Sequence, residues 1–282
     1  MPVGSTALPR LAEHVLVRTR SADALRETYA KIYAEPKLVV AVGGSLDAAV
    51  SQCAIGGLRV GYGRFGAATS WEFPNAESFL YLAPLEGAGM LTTRNRACRA
   101  VSSKAVMVSP AAGYHANYEA SFATISLKID EAVLARKFEA MIGTSLDAPI
   151  IFEPQSPSLA GASELLPDYL HHLVDTIEQT GPALPQWWIT QTEQLIIMLL
   201  LHTQRHNYSH LLESPAAEAS LSQIKKVESY IEANYDRPLT IEDLAELSGV
   251  SVLSLVRAFK RVRAYSPMQF VERIRRERGL FG

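Results

Sequence analysis

Apolar and polar positions change their period once along this chain. Between residues 37 and 126 the apolar residues fall into short β-prone runs, at 38–42, 78–82, 104–108 and 122–127. Turn formers separate them, at Gly43-Gly44, Gly56-Gly57, residues 87–89 and residues 110–113. Many short strands at this spacing predict a β-sandwich or barrel. After Ile129 the period becomes helical. Residues 130–142 open on an acid, repeat apolar positions three and four apart and stop at Gly143, which predicts a helix. A loop rich in Pro and Ser follows over residues 145–163, then a second helical stretch at 165–179. Gly181-Pro182 and Pro185 break the chain. From Trp187 to about Leu212 the pattern predicts one long amphipathic helix with Ile189, Leu195, Ile196, Leu199 and Leu200 on its apolar side. Such a stripe packs as domain core or as a dimer seam.

Residues 214–220 are small and polar and include Pro215, as expected of a linker. Beyond it, residues 221–234 read as a helix and 235–238 as a turn. Thr240 followed three residues later by Asp243 is a variant capping box opening a helix at 241–247. Ser248-Gly249-Val250 supplies a tight turn whose glycine can take positive φ. Ser251 then caps a second helix, whose Leu255, Ala258 and Phe259 face inward with Leu244, Ala245 and Val250. Over residues 239–267 this is a helix-turn-helix. The same spacing turns Leu253, Val256, Arg257 and Lys260 outward. A helix so placed in a DNA major groove would set Arg257 against guanine, with its fork matching O6 and N7. Leu253 and Val256 suit thymine methyls, while Ser251, Ser254, Lys260 and Arg261 suit phosphates. The pattern alone also fits a helical hairpin with a basic outer face.

Charge sharpens that choice. The 282 residues carry a formal −2, but residues 254–282 hold eight basic and two acidic side chains. That end is therefore +6 and the remainder −8, the pattern expected where one end meets a polyanion such as promoter duplex DNA. A solvated charged helix would look similar. Length favours two domains. The longest apolar run, residues 195–201, is far short of a membrane span, and the first twenty residues lack a secretory pattern, so no membrane partner is expected and the cytoplasm is the expected location. Cys53 and Cys98, with no CxxC spacing, read as reduced structural thiols.

Little in the sequence suggests an enzyme, a metal or a resident cofactor. The β-rich half contains only His14 and His115, with no HxH or HxxxH pair, and no GxSxG, P-loop or paired-carboxylate motif occurs. Tyr114 and His115 follow a glycine turn where a pocket mouth could lie. His171 and His172 fall on a predicted helix. His202, His206 and His210 share i, i+4 spacing that can ligate metal, but at the polar end of the long helix they read as solvated. Arg94, Arg96 and Arg99 lie within six residues, with Arg94 and Arg96 on one strand face. The cluster suits a small anionic effector, an aromatic carboxylate or a nucleotide such as a cyclic dinucleotide, and equally an exposed charged hairpin.

Residues 239–275 carry a resemblance. LTIEDLAELSGVS, the S-x-x-x-L-x-R-x-F-K-R string from Ser251 to Arg261, and Ser266-Pro267 leading into a basic helix resemble the first half of the DNA-binding domain of the AraC/XylS transcription regulators. Upstream, SLKIDEAVLARKFEAMIG and QLIIMLLLHTQRHNYSHLL resemble the sensing and dimerisation half of that family. The resemblance implies an α+β chain. Residues 1–213 would form an effector-sensing and dimerisation domain, a cupin-like β-barrel to about residue 129 with flanking helices after it. Residues 214–220 would be the linker and 221–282 a partial, all-α helix-turn-helix domain. Its implied partners are promoter DNA, a small effector, a second copy of the chain and RNA polymerase. Two departures stand out. The family has glycine where this chain has Ala264, so a turn of different geometry is expected there. Family members also carry a second helix-turn-helix, and only residues 276–282 follow the matched stretch. The alternative expectation is therefore a ligand-binding, dimerising module whose incomplete reader is inactive alone.

Overall fold

Alternation of buried and exposed side chains along the first half of the chain builds two antiparallel sheets. The computed structural model describes residues 10–33, 36–93, 96–102, 104–110, 113–142, 145–155, 164–181, 183–213 and 220–279. One sheet runs in the order β1 (Val15–Thr19), β3 (Ala48–Ile55), β4 (Leu58–Arg64), β11 (Ala123–Asp130), β6 (Ser78–Glu86) and β9 (Val106–Val108). The other runs β2 (Lys37–Val40), β5 (Thr69–Phe73), β10 (Tyr114–Tyr118), β7 (Gly89–Thr93) and β8 (Ala97–Ala100). One core cluster draws Val50, Leu80 and Leu82 from the first sheet and Trp71, Phe73 and Tyr118 from the second, so the sheets share one interior, as in a cupin-like barrel. Between β1 and β2 lies α1 (Ala22–Ile32), started by the Ser21 hydroxyl accepting from the Ala24 N–H and anchored by fully buried Leu25.

Helices follow: α2 (Glu131–Ile142), α3 (Leu165–Thr180), α4 (Gln186–Thr203), α5 (Ser209–Glu213) and α6–α9 (Leu221–Asn234, Ile241–Ser248, Val252–Arg263, Pro267–Glu277). Among the described residues, no helix is long and apolar enough to cross a membrane. The long helix expected to reach Leu212 ends instead at Thr203. The chain leaves the helix because residues 205 and 206 pair with an extended segment: the Glu153 N–H donates to the Arg205 carbonyl at 2.8 Å, and Phe152 bridges to His206. That segment also receives β9, whose Met107 N–H donates to the Pro154 carbonyl. On α4 itself Ile196 and Leu200 are fully buried, but Leu195, expected beside them, is 41% exposed.

The described chain groups into two compact units that interleave in sequence. Met1–Glu131, Ile151–Leu184 and Met198–His206 form one; Ala132–Ile150, Pro185–Ile197 and Asn207–Gly282 form the other. Apart from Ser220, the linker expected at 214–220 lies outside the described residues.

In the second unit α6 through α9 pack Ile224, Val227, Leu244, Leu255 and Phe259 into a common interior, all fully buried. Local chemistry sets each helix start. Ser220 with Gln223, Thr240 with Asp243 and Ser266 with Gln269 each form a capping box. Gly249 ends α7 at φ +71°, a conformation side-chain-bearing residues disfavour, and its N–H returns to the Ala245 carbonyl at 2.9 Å.

Ala264 corrects an expectation. It takes the left-handed geometry after all, at φ +63°, as the residue ending α8. The Cβ strain there is relieved by glycine, at some entropic cost in the unfolded chain. Ala264→Gly is expected to raise stability by about 0.5–1 kcal/mol, read as a higher urea midpoint at unchanged slope. A lower midpoint would contradict this account.

Candidate functional site

Two features have the construction of a site, one in each unit. The first is the outer face of α8. Residues 253, 257, 260 and 261 succeed one another at helical spacing, so they share one side. Leu253 and Val256 are half-buried, and Lys260 and Arg261 are exposed. Arg257 is half-buried, and its Nη2 donates to the Leu212 carbonyl in α5 at 3.2 Å. The serines have local duties. Ser251 Oγ accepts from the Ser254 N–H at 3.2 Å, and Ser254, 3% exposed, keeps its hydroxyl 2.8 Å from that of Ser251.

Several other basic residues of this end serve the fold. Arg263 forms a two-pronged pair with Glu228 on α6 at 2.8 and 2.9 Å, which raises its pKa. Arg275, only 7% exposed, donates to the Tyr235 and Arg237 carbonyls at 2.8 Å each, closing the turn after α6; burial lowers its pKa. Arg273 lies over the Tyr265 and Phe270 rings. Arg257, Lys260 and Arg261 share the outer side of α8, where Arg257 also holds the Leu212 carbonyl.

Within the same unit α7 rests on polar side chains that an amphipathic reading would place in solvent. Thr192, Glu193 and Gln194 on α4 are all at least nine-tenths buried. Lys137 of α2 stands 3.6 Å from Glu193 and 3.5 Å from Glu242 of α7. Gln194 also donates to Glu242, and Gln191 to the Leu239 carbonyl at 3.3 Å.

The second feature is a cavity in the barrel, about 540 Å3 of empty space with its mouth included. One wall is aromatic. Tyr29 lies tilted against Trp71 at 4.4 Å, and Phe73 stacks on Tyr114 at 4.6 Å and Tyr118 on Phe122 at 4.3 Å. The opposite wall is small or polar: Gln52, Gly61, Gly63, Thr124 and Ser126 lie across three adjacent strands. Gly61 keeps that wall open, since a Cβ there would stand 2.7 Å from Ser126 Oγ. Every side chain lining the cavity is uncharged. Burial pushes the Tyr33 phenol up to about 12, against the pull of a Ser126 hydrogen bond. It also raises Tyr29, Tyr114 and Tyr118, so all four remain neutral hydroxyls near neutral pH.

Of the residues expected near a ligand, only Tyr114 lines this space; strand alternation turns His115 outward and leaves it exposed. Arg96 and Arg99 are exposed, beside and on β8, and are not among the lining residues. Arg94 lies outside the described residues. The sequence reading overlooked Tyr29, Tyr33, Trp71 and Tyr118. A signal was present in the Trp71/Phe73 and Tyr114/Tyr118 alternation and in the Gly61-x-Gly63 spacing, which leaves room on one strand face.

The three histidines expected along the long helix diverge. His202 and His210 are exposed, while His206 was expected in solvent but is 5% exposed, its ring 5.2 Å from Phe152 and its Nε2 3.2 Å from the Leu201 carbonyl. Among the described residues no group of three or more His, Cys, Asp or Glu side chains could hold a metal ion. Cys53 and Cys98 are buried free thiols, and burial raises both pKa values.

Residues 25–202 match the family described as the AraC-binding-like domain. The "Probable thc operon regulatory protein" of Rhodococcus erythropolis is 29% identical over 157 residues, 55% of this chain and 46% of that protein. An uncharacterized HTH-type transcriptional regulator of Bacillus subtilis is 31% identical over 83 residues, 29% of this chain and 30% of that protein. The matched stretch thus spans less than half of either relative. The crystal structure of the AraC-like transcriptional activator CuxR superposes over 94% of this chain and 95% of its own, with a TM-score of 0.47 and 15% identity.

Proposed function

Because the chain belongs to the AraC-binding-like domain family, we propose that it is an effector-responsive, DNA-binding transcription regulator of the cytoplasm. The observation that carries this reading is the α7–Gly249–α8 helix-turn-helix, which presents Arg257, Lys260 and Arg261 on one helix face. In this reading α8 enters the major groove of promoter duplex DNA. Arg257 exchanges the Leu212 carbonyl for guanine acceptors, Lys260 and Arg261 bind phosphates, and Leu253 and Val256 touch thymine methyls. Ser251 and Ser254 hold the start of the helix. The chain acts as a homodimer through α4, so that two units meet two half-sites, with RNA polymerase as a further partner. No reaction is assigned to it.

The test is affinity against salt for the duplex upstream of its own gene and for an unrelated duplex. Lys260→Ala is expected to weaken both and to flatten the log–log salt slope by about 0.9. Arg257→Ala is expected to cost about 1–3 kcal/mol on the cognate duplex and far less on the other. Equal affinity of the folded wild-type chain for both duplexes would overturn the reading.

A further inference from the structure

The barrel cavity is more specific than a generic hollow. The wall opposite the rings is kept clear at Gly61, where a Cβ would stand 2.7 Å from Ser126 Oγ. Its aromatic wall is continuous, with Phe65 stacked on Tyr118 at 5.5 Å and Trp71 on Phe73 at 5.8 Å, and rings so arranged favour a flat guest. The indole N–H of Trp71 is already used, donating to Thr69 Oγ1. The phenols are not. Among the described residues the hydroxyls of Tyr29, Tyr114 and Tyr118 make no hydrogen bond, although Tyr114 and Tyr118 are only 3% and 9% exposed. These hydroxyls border the cavity, so a guest that carries an acceptor into it gains hydrogen bonds there. Gln52 adds an amide on the opposite wall, and no lining side chain carries a charge to receive an ion.

We propose that the cavity binds an uncharged, single-ring planar molecule carrying an oxygen acceptor, with its ring against the aromatic wall and its oxygen toward the phenol hydroxyls. This rests on the effector-sensing reading above, and names the chemical class of the effector. An anion has no counter-charge there. Lys128, the basic side chain lining the adjoining space, already donates to the Ile32 carbonyl at 2.7 Å and lies over the Tyr33 ring. Arg96 and Arg99 are exposed and stand apart from this space.

Three probes of one ring size separate the possibilities by charge: benzamide, benzoate and benzylammonium, titrated into the full chain by calorimetry. Benzamide is expected to bind at least about tenfold more tightly than either ion, since an ion entering the cavity stays unpaired. Tyr114→Phe and Tyr118→Phe remove one hydroxyl each and keep the ring; each is expected to weaken benzamide about threefold to tenfold. The Arg96→Ala/Arg99→Ala double variant is expected to leave benzamide affinity unchanged. Benzoate binding as tightly as benzamide, no binding by any probe, or insensitivity to both tyrosine variants would each overturn the proposal. A second readout distinguishes its failure from that of the parent reading. If benzamide binds as described but leaves DNA affinity unchanged, the ligand class stands and effector control falls.

Discussion

Replacing Phe259 with alanine is expected to cost about 3–5 kcal/mol and to abolish DNA binding, because the ring is the fully buried centre of the helix-turn-helix. Phe259 projects from α8 beside Leu255 and Ala258, all without solvent exposure, and its ring lies 6.5 Å from that of Tyr265. Truncation leaves a cavity that the capped helices cannot close without giving up their own hydrogen bonds. Folded domains are stable by only about 5–15 kcal/mol, so the variant should show a population without ordered α7–α8 packing. Urea unfolding followed by circular dichroism measures the loss. Val256→Ala, on the half-buried outer side of the same helix, is the control, with an expected cost below about 1 kcal/mol. Equal costs for the two variants would show that the inward and outward faces of α8 are misassigned.

Lys137→Met is expected to destabilise the second unit by about 2–4 kcal/mol, on the lower side of what breaking a fully buried ion pair costs. The ammonium is the shared cation of two carboxylates, Glu193 at 3.6 Å and Glu242 at 3.5 Å, and the three side chains are 16%, 11% and 23% exposed. Removing it leaves two carboxylates facing each other away from bulk water. Glu242 belongs to the first turn of α7, so the loss should also loosen the seat of the helix-turn-helix against Gln191 and Gln194. The triple variant Lys137→Met/Glu193→Gln/Glu242→Gln should recover a large part of the loss, because no charge is then stranded. If Lys137→Met alone leaves the urea midpoint within about 0.5 kcal/mol of wild type, the cluster is solvated and this account of it fails.

Much of the helix-turn-helix was legible residue by residue. Ser220, Thr240, Ser251 and Ser266 each start a helix at the position their hydroxyl chemistry favours, and Gly249 adopts positive φ as its turn requires. The β-rich half was legible as a class, but its strand order was not, since β4 lies between β3 and β11 and β10 between β5 and β7. Leu253, Ser254, Val256, Arg257, Lys260 and Arg261 fall on α8 and Ser251 caps it, and the hydroxyls of Ser251 and Ser254 bond to the helix start and to each other. The cavity was not legible in this way: a charge cluster such as Arg94, Arg96 and Arg99 is visible in a linear string, whereas uncharged residues that converge from several strands and a helix are not.

By itself the sequence determined what depends on neighbours a few residues away: the caps, the glycine turn, the inward set Leu255, Ala258 and Phe259, and the period change from strand to helix. Only the tertiary structure decided what depends on distant partners. It ended α4 at Thr203 by pairing residues 205 and 206 with 152 and 153. It buried Thr192, Glu193 and Gln194, put Arg263 on Glu228, and set Arg257 on a backbone carbonyl of α5. It gathered Tyr29, Trp71 and Tyr118 around one cavity. The physical reason is range. A cap or a turn is settled by bonds within one helical turn, but whether a charge is solvated or paired, and whether an aromatic ring fills a core or lines a space, depends on which remote segments the fold brings against it.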